Sequence, residues 1–101
     1  KKSFMKTAKK IQMLYEHSKI FWLEISANAG YENAKPGVQN RIKVYNEIIE
    51  NIYSDDFIRI NEKIMKVDGF NADNLHWNKH AHKVVAETLL ERIRQHLHSE
   101  I

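Results

Sequence analysis

Apolar residues recur along this chain at two different periods, and the alternation between them sets the expected order of elements. Over residues 4–17, Phe4, Ala8, Ile11 and either Leu14 or Tyr15 fall on one face with lysines between them, the spacing of an amphipathic helix. Residues 19–25 supply Ile20-Phe21-Trp22-Leu23 with almost no polar interruption. A short run rich in aromatic and branched side chains reads as a strand buried on both faces. Breakers then cluster in residues 26–37, at Asn28, Gly30, Asn33, Pro36 and Gly37. Residues 38–53 return to helical spacing through Ile42, Tyr45, Ile48 or Ile49, and Ile52. Phe57-Ile58-Arg59-Ile60 is short and branched, a second strand, and residues 61–72 read as loop with a brief extended piece at 63–65. A final helix over residues 79–98 carries Ala81, Val84 or Val85, Leu89, Ile93 and Leu97 along one face.

The order helix, strand, helix, strand, helix predicts an α/β chain whose parallel strands are joined by crossover helices. Two strands cannot make a sheet covered by helices on both faces, yet each reads as buried and so calls for neighbours. The expectation is that residues 1–101 form the later half of one α/β domain whose other strands lie elsewhere. An opening on Lys1-Lys2 without an initiator Met fits a stretch of something longer. There is no internal repeat.

Composition narrows the chemistry. At 101 residues the chain is at most one small domain, and the absence of cysteine excludes disulfides, thiolate zinc sites and a cysteine nucleophile. The net charge of +3 comes from lysines and arginines interleaved with acids, which speaks against a nucleic-acid stripe. No apolar window approaches the length of a membrane span, and nothing in the sequence assigns a compartment.

Candidate chemistry concentrates in residues 73–82, Asp-Asn-Leu-His-Trp-Asn-Lys-His-Ala-His. An acid followed three residues later by a histidine, just ahead of a helix, is a compact way to build an oriented base. The Asp73 carboxylate can accept from one nitrogen of His76, fixing the tautomer and stabilising the imidazolium, while the other nitrogen takes a proton from a nucleophile. Asn78 stands where an N-cap is expected, a contribution of about 1 kcal/mol that also fixes where the helix begins. The bland alternative is a surface turn in which the acid caps and the histidine is solvated. Asp68 before Gly69 reads as a turn residue. His76, His80 and His82 also invite a metal reading. However, the expected cap separates His76 from the helix, His80 and His82 point apart on it, and the glutamate of a hydrolytic zinc helix is missing. No metal and no cofactor is expected. Glu24 closes the first strand and reads as a carboxylate emerging into solvent. Tyr31 and Asn33 sit in a long loop where substrate contact is conceivable, while Trp22 and Tyr45 read as core or half-core.

The element order and the Asp73 turn together resemble the C-terminal half of an SGNH (GDSL-type) hydrolase. In that family a late Asp-x-x-His turn is followed by a short polar stretch often holding Asn, then a small residue, His or Tyr, and a terminal helix. Here those positions look like Asp73, His76, Asn78, Ala81 and His82. The Tyr45-Asn46 pair and the strand leading into a long loop at Ser26 are similar as well, so the resemblance spans nearly the whole chain. It departs at Trp77, where the family often has Pro, and at Ala81, where Gly is common. The family's nucleophilic serine block, and the Gly and Asn of its oxyanion hole, have no counterpart here.

The resemblance implies a flavodoxin-like three-layer fold and an acyl-serine intermediate. Under it His76 is the general base, oriented by Asp73, and acts on small acyl esters of lipid or carbohydrate-acetyl type without metal. The partner it implies is the N-terminal half of the same domain. The rival expectation is a non-catalytic α/β binding or assembly module that docks an acidic partner.

Overall fold

The computed structural model describes residues 2–99. The elements are α1 (Lys2–Leu14), β1 (Trp22–Leu23), α2 (Val38–Ile52), β2 (Phe57–Ile58), α3 (Asn61–Lys66) and α4 (Lys79–Ser99), with short 3-10 turns at Ala29–Asn33 and Ser54–Asp56. β1 and β2 pair in parallel, Trp22 opposite Phe57 and Leu23 opposite Ile58, so the expected parallel crossover through α2 is present. The chain is mixed α/β, with a small two-stranded sheet.

Side chains alternate across this sheet as a pleat requires. Trp22 stacks on Tyr53, rings 4.4 Å apart, and meets Phe4 of α1 edge-on at 6.3 Å. Leu23 points the other way, onto a core of Ile58, Ile60, Ile64, Ala81 and Val85 under α4. Helices therefore cover both faces of this two-stranded sheet, which corrects the expectation that two strands cannot make one so covered. No helix among the described residues is long and apolar enough to cross a membrane.

The first strand is shorter than the run over residues 19–25 predicts, and it is half-buried rather than buried on both faces. Its ladder ends where Glu24 N–H donates to Ile58 O at 3.0 Å. Immediately beyond, the Asn46 side chain takes over the Ile25 backbone, accepting from its N–H at 2.8 Å and donating to its carbonyl at 3.0 Å. At the other end Lys19 is drawn into an ion pair with Asp56 at 2.6 Å.

Two further expectations are corrected together. Residues 61–72 are not loop throughout, since Asn61–Lys66 is helical, and Glu24 is half-buried and engaged rather than a carboxylate simply emerging into solvent. One interaction explains both. Glu24 Oε1 accepts from the backbone N–H groups of Ile60 and Asn61, each at 2.8 Å, and so caps α3 from 36 residues upstream. Nothing local in the sequence supplies that cap. Glu24→Ala leaves two amides unpartnered, one on a residue only 1% exposed. It is expected to destabilise the protein by about 1–3 kcal/mol in a urea melt. An unchanged midpoint rules the cap out.

α3 closes with a Schellman turn: Gly69 N–H reaches Ile64 O at 2.9 Å and Asp68 N–H reaches Met65 O at 3.2 Å, with Asp68 left-handed at φ 50°. Asp68 is thus the turn residue that the sequence suggests. The packing face of α4 also departs from expectation in its second half. Ile93 and Leu97 are 44% and 58% exposed, and Arg92 and His96 take the sheet side instead. Arg92 donates to the carbonyls of Phe57 and Asp55 and lies 5.7 Å over the Phe21 ring, which His96 meets edge-on.

Candidate active site

The site is built on the turn between α3 and α4. An antiparallel bridge between Phe70 and Trp77 closes its base, and Asn71 N–H donates to His76 O at 2.8 Å. Within the loop Asn74 adopts a left-handed conformation at φ 61°, which Asn tolerates better than most residues. That reversal brings Asp73 and His76 together.

The Asp73 carboxylate divides its two oxygens. Oδ1 accepts from the backbone N–H groups of Leu75 and His76, both at 3.0 Å, and Oδ2 accepts from Nδ1–H of His76. The capping turn and the oriented histidine, alternatives in the sequence, occur together. The hydrogen bond from His76, followed by those from the two amides, holds the Asp73 carboxyl at about 2, below its ordinary 3.8. It is ionised above that value and can only accept, so the proton of neutral His76 resides on Nδ1 and the lone pair on Nε2. The imidazole side chain is 72% exposed, leaving Nε2 accessible.

The lowered value fixes the sign of a pH dependence. A folded-state carboxyl below its unfolded value contributes stability that is complete above about pH 4 and lost as pH falls toward 2. By carboxyl-carbon NMR, Asp73 is expected to titrate near 2, and in His76→Ala to move up toward 3.8 without reaching it, because both amide donors remain. The same midpoint in both proteins removes the pairing.

Three anchors fix the turn. Asn78 is the N-cap of α4 as the sequence suggests: its Oδ1 accepts from His80 N–H at 2.9 Å and Ala81 N–H at 3.1 Å. Its Nδ2 donates to Asp68 O and its backbone N–H to Gly69 O, each at 2.8 Å. Ala81 is fully buried, and a Cβ on Gly69 would stand 2.7 Å from its methyl, which accounts for glycine at position 69. The second anchor is Asn28, whose N–H donates to Asn74 O at 2.8 Å and whose Nδ2 donates to Asn74 Oδ1 at 2.9 Å. The third is Trp77, whose Nε1–H donates to Ser26 Oγ at 3.0 Å. Ser26 lies three residues beyond β1, so the turn stands at the carboxyl end of that strand, the usual crevice of parallel sheets.

His76 lines an open recess of about 420 Å³ with Ser26, Leu75, Trp77 and His82. Ser26 makes no hydrogen bond to His76 among the described residues; its Oγ accepts from the indole. Tyr31 and Asn33, in the Ala29–Asn33 turn, do not line this recess. Among the described residues no group of three or more histidine, aspartate or glutamate side chains is placed to hold a metal ion. Asn28, Asn74, Ser26 and Leu75 do not stand out in the sequence as site residues. The one available signal is Asn following Asp at 73–74, a pair that favours a left-handed turn.

Chemically, an exposed Nε2 lone pair backed by an anchored carboxylate has what a general base requires, a free acceptor on an oriented imidazole. Comparison with known proteins finds no matching family model, no matching curated protein and no matching solved structure.

Proposed function

We propose that this chain is the base-bearing half of a serine esterase or acyl hydrolase of the SGNH type, its sheet being the later part of a flavodoxin-like three-layer domain. The serine nucleophile and the oxyanion donors come from the N-terminal half of that domain. The observation that carries the reading is the divided carboxylate of Asp73, which holds Nδ1 of His76, on an imidazole that lines a recess beside the end of β1.

In this mechanism Nε2 takes the proton of the serine hydroxyl as Oγ attacks the ester carbonyl. The imidazolium, stabilised by Asp73, then protonates the departing alcohol oxygen as the acyl-serine forms. Water then attacks the acyl carbonyl as the same nitrogen takes its proton, and the imidazolium returns that proton to the serine Oγ as the acyl–Oγ bond breaks and the acid leaves. The test is turnover of p-nitrophenyl acetate and a panel of alkyl esters by the complete protein, alone and as His76→Ala. Parental turnover in the variant, or no ester hydrolysed by the parent, ends the reading.

A further inference from the structure

We infer that the recess beside His76 is the leaving-group subsite, and that it takes an apolar alkyl or aryl alcohol rather than a carbohydrate hydroxyl; this rests on the esterase reading above. The direction follows from proton transfer. Nε2 must hand its proton to the oxygen of the departing alcohol, so the remainder of that alcohol lies against whatever flanks His76. What flanks it is Leu75 on one side and Trp77 on the other, with His82 edge-on to the indole, centroids 5.5 Å apart.

The indole is a fixed wall. Its Nε1–H is held by Ser26 Oγ at 3.0 Å, its backbone bridges Phe70, and part of it packs against the core under α4. Among the described residues the recess is lined by no carboxylate, lysine or arginine, so no permanently charged side chain in it matches a charged leaving group. A sugar ring brings several hydroxyls, each of which loses water and needs a partner. The recess offers the Ser26 hydroxyl and His82 besides His76, whose Nε2 is committed to proton transfer. An alkyl chain needs no partner and gains from every methylene laid on Leu75 and Trp77, up to about fourfold in kcat/KM for each one fully buried.

The experiment holds the acyl group constant as acetate and varies the alcohol, in the complete protein, with release followed by pH-stat. Ethanol and hexanol have similar acidity, so the ratio of their esters reports contact rather than leaving-group chemistry. Hexyl acetate is expected to exceed ethyl acetate in kcat/KM by about tenfold or more, and a monoacetylated methyl glucoside to fall below both. Leu75→Trp, which fills the recess, is expected to bring the hexyl-to-ethyl ratio near one. Trp77→Ala is expected to do the same if it folds, and Trp77→Phe, which keeps the wall, to retain most of the preference.

A flat profile, a preference for the glucoside, or equal losses on all esters overturns the subsite. If no ester is hydrolysed at all, the esterase reading and with it the leaving-group role fail, and the preference of the recess for an apolar over a sugar alcohol is still decided by NMR. 1-Hexanol is expected to shift the Trp77 indole N–H resonance, assigned by its loss in Trp77→Phe, and glucose is not. An indole that ignores hexanol overturns the subsite whatever the enzymology.

Discussion

Replacing His76 by alanine is expected to lower ester turnover of the complete protein by about four to six orders of magnitude, the loss seen when one member of a cooperating triad is removed. The reason is geometric as much as chemical. His76 Nδ1 is tied to Asp73, which orients the ring that lines the recess. His82 shares the recess, but its ring leans on Trp77.

Asp73→Asn is expected to cost about 10⁴-fold while leaving the turn intact. The amide oxygen can still accept from the Leu75 and His76 N–H groups, replacing Oδ1. The amide nitrogen then faces Nδ1 as a donor, forces Nδ1 to accept, and moves the ring proton to Nε2, where it blocks the base. Unfolding midpoints near the parental value at pH 7, alongside the lost turnover, separate a chemical role from a structural one. An Asp73→Asn protein at parental rates shows that the pair is a surface turn and no more.

What was readable beforehand divides along the range of the interactions involved. Residues 79–98 are patterned by their own periodicity and by Asn78, so α4 and its cap are legible locally, and so is the Asp73–His76 contact three residues apart. α3 is not legible. Its N-terminus depends on a carboxylate 36 residues away, and local pattern alone makes Glu24 a solvated end-of-strand residue and 61–72 a loop, the two halves of one interaction. Ile93 and Leu97 mislead for a related reason. Helical spacing places them on an apolar face, but it cannot tell which arc the sheet will take, and the carbonyls of Asp55 and Phe57 pull Arg92 onto the packed side. The recess was hidden for the same cause, since Ser26 and Trp77 meet across 51 residues.

Ile64→Ala should produce the largest loss of stability in this chain. Ile64 is fully buried, lies in the cluster with Ile58, Ile60, Ala81 and Val85, and presents Cγ2 to Gly69 at the point where α3 turns toward the site. Truncation removes three carbons from a place where α3, the sheet and α4 all meet, so collapse around the void is limited. The expected loss is about 2–5 kcal/mol, against a total of about 5–15 kcal/mol for a domain of this size. At about 4–8 °C per kcal/mol, this amounts to a fall in melting temperature on the order of 10–30 °C. His76→Ala, at an exposed position, should move the midpoint little while abolishing turnover. Ile64→Ala should do the reverse, lowering the midpoint while leaving kcat per folded molecule near the parental value at low temperature. That crossed pattern is expected because Gly69 and Asn78, rather than the Ile64 side chain, hold the turn by hydrogen bonds. If Ile64→Ala instead removes turnover at temperatures where circular dichroism shows the protein fully folded, the turn is positioned by side-chain packing, and the hydrogen-bond anchors are secondary.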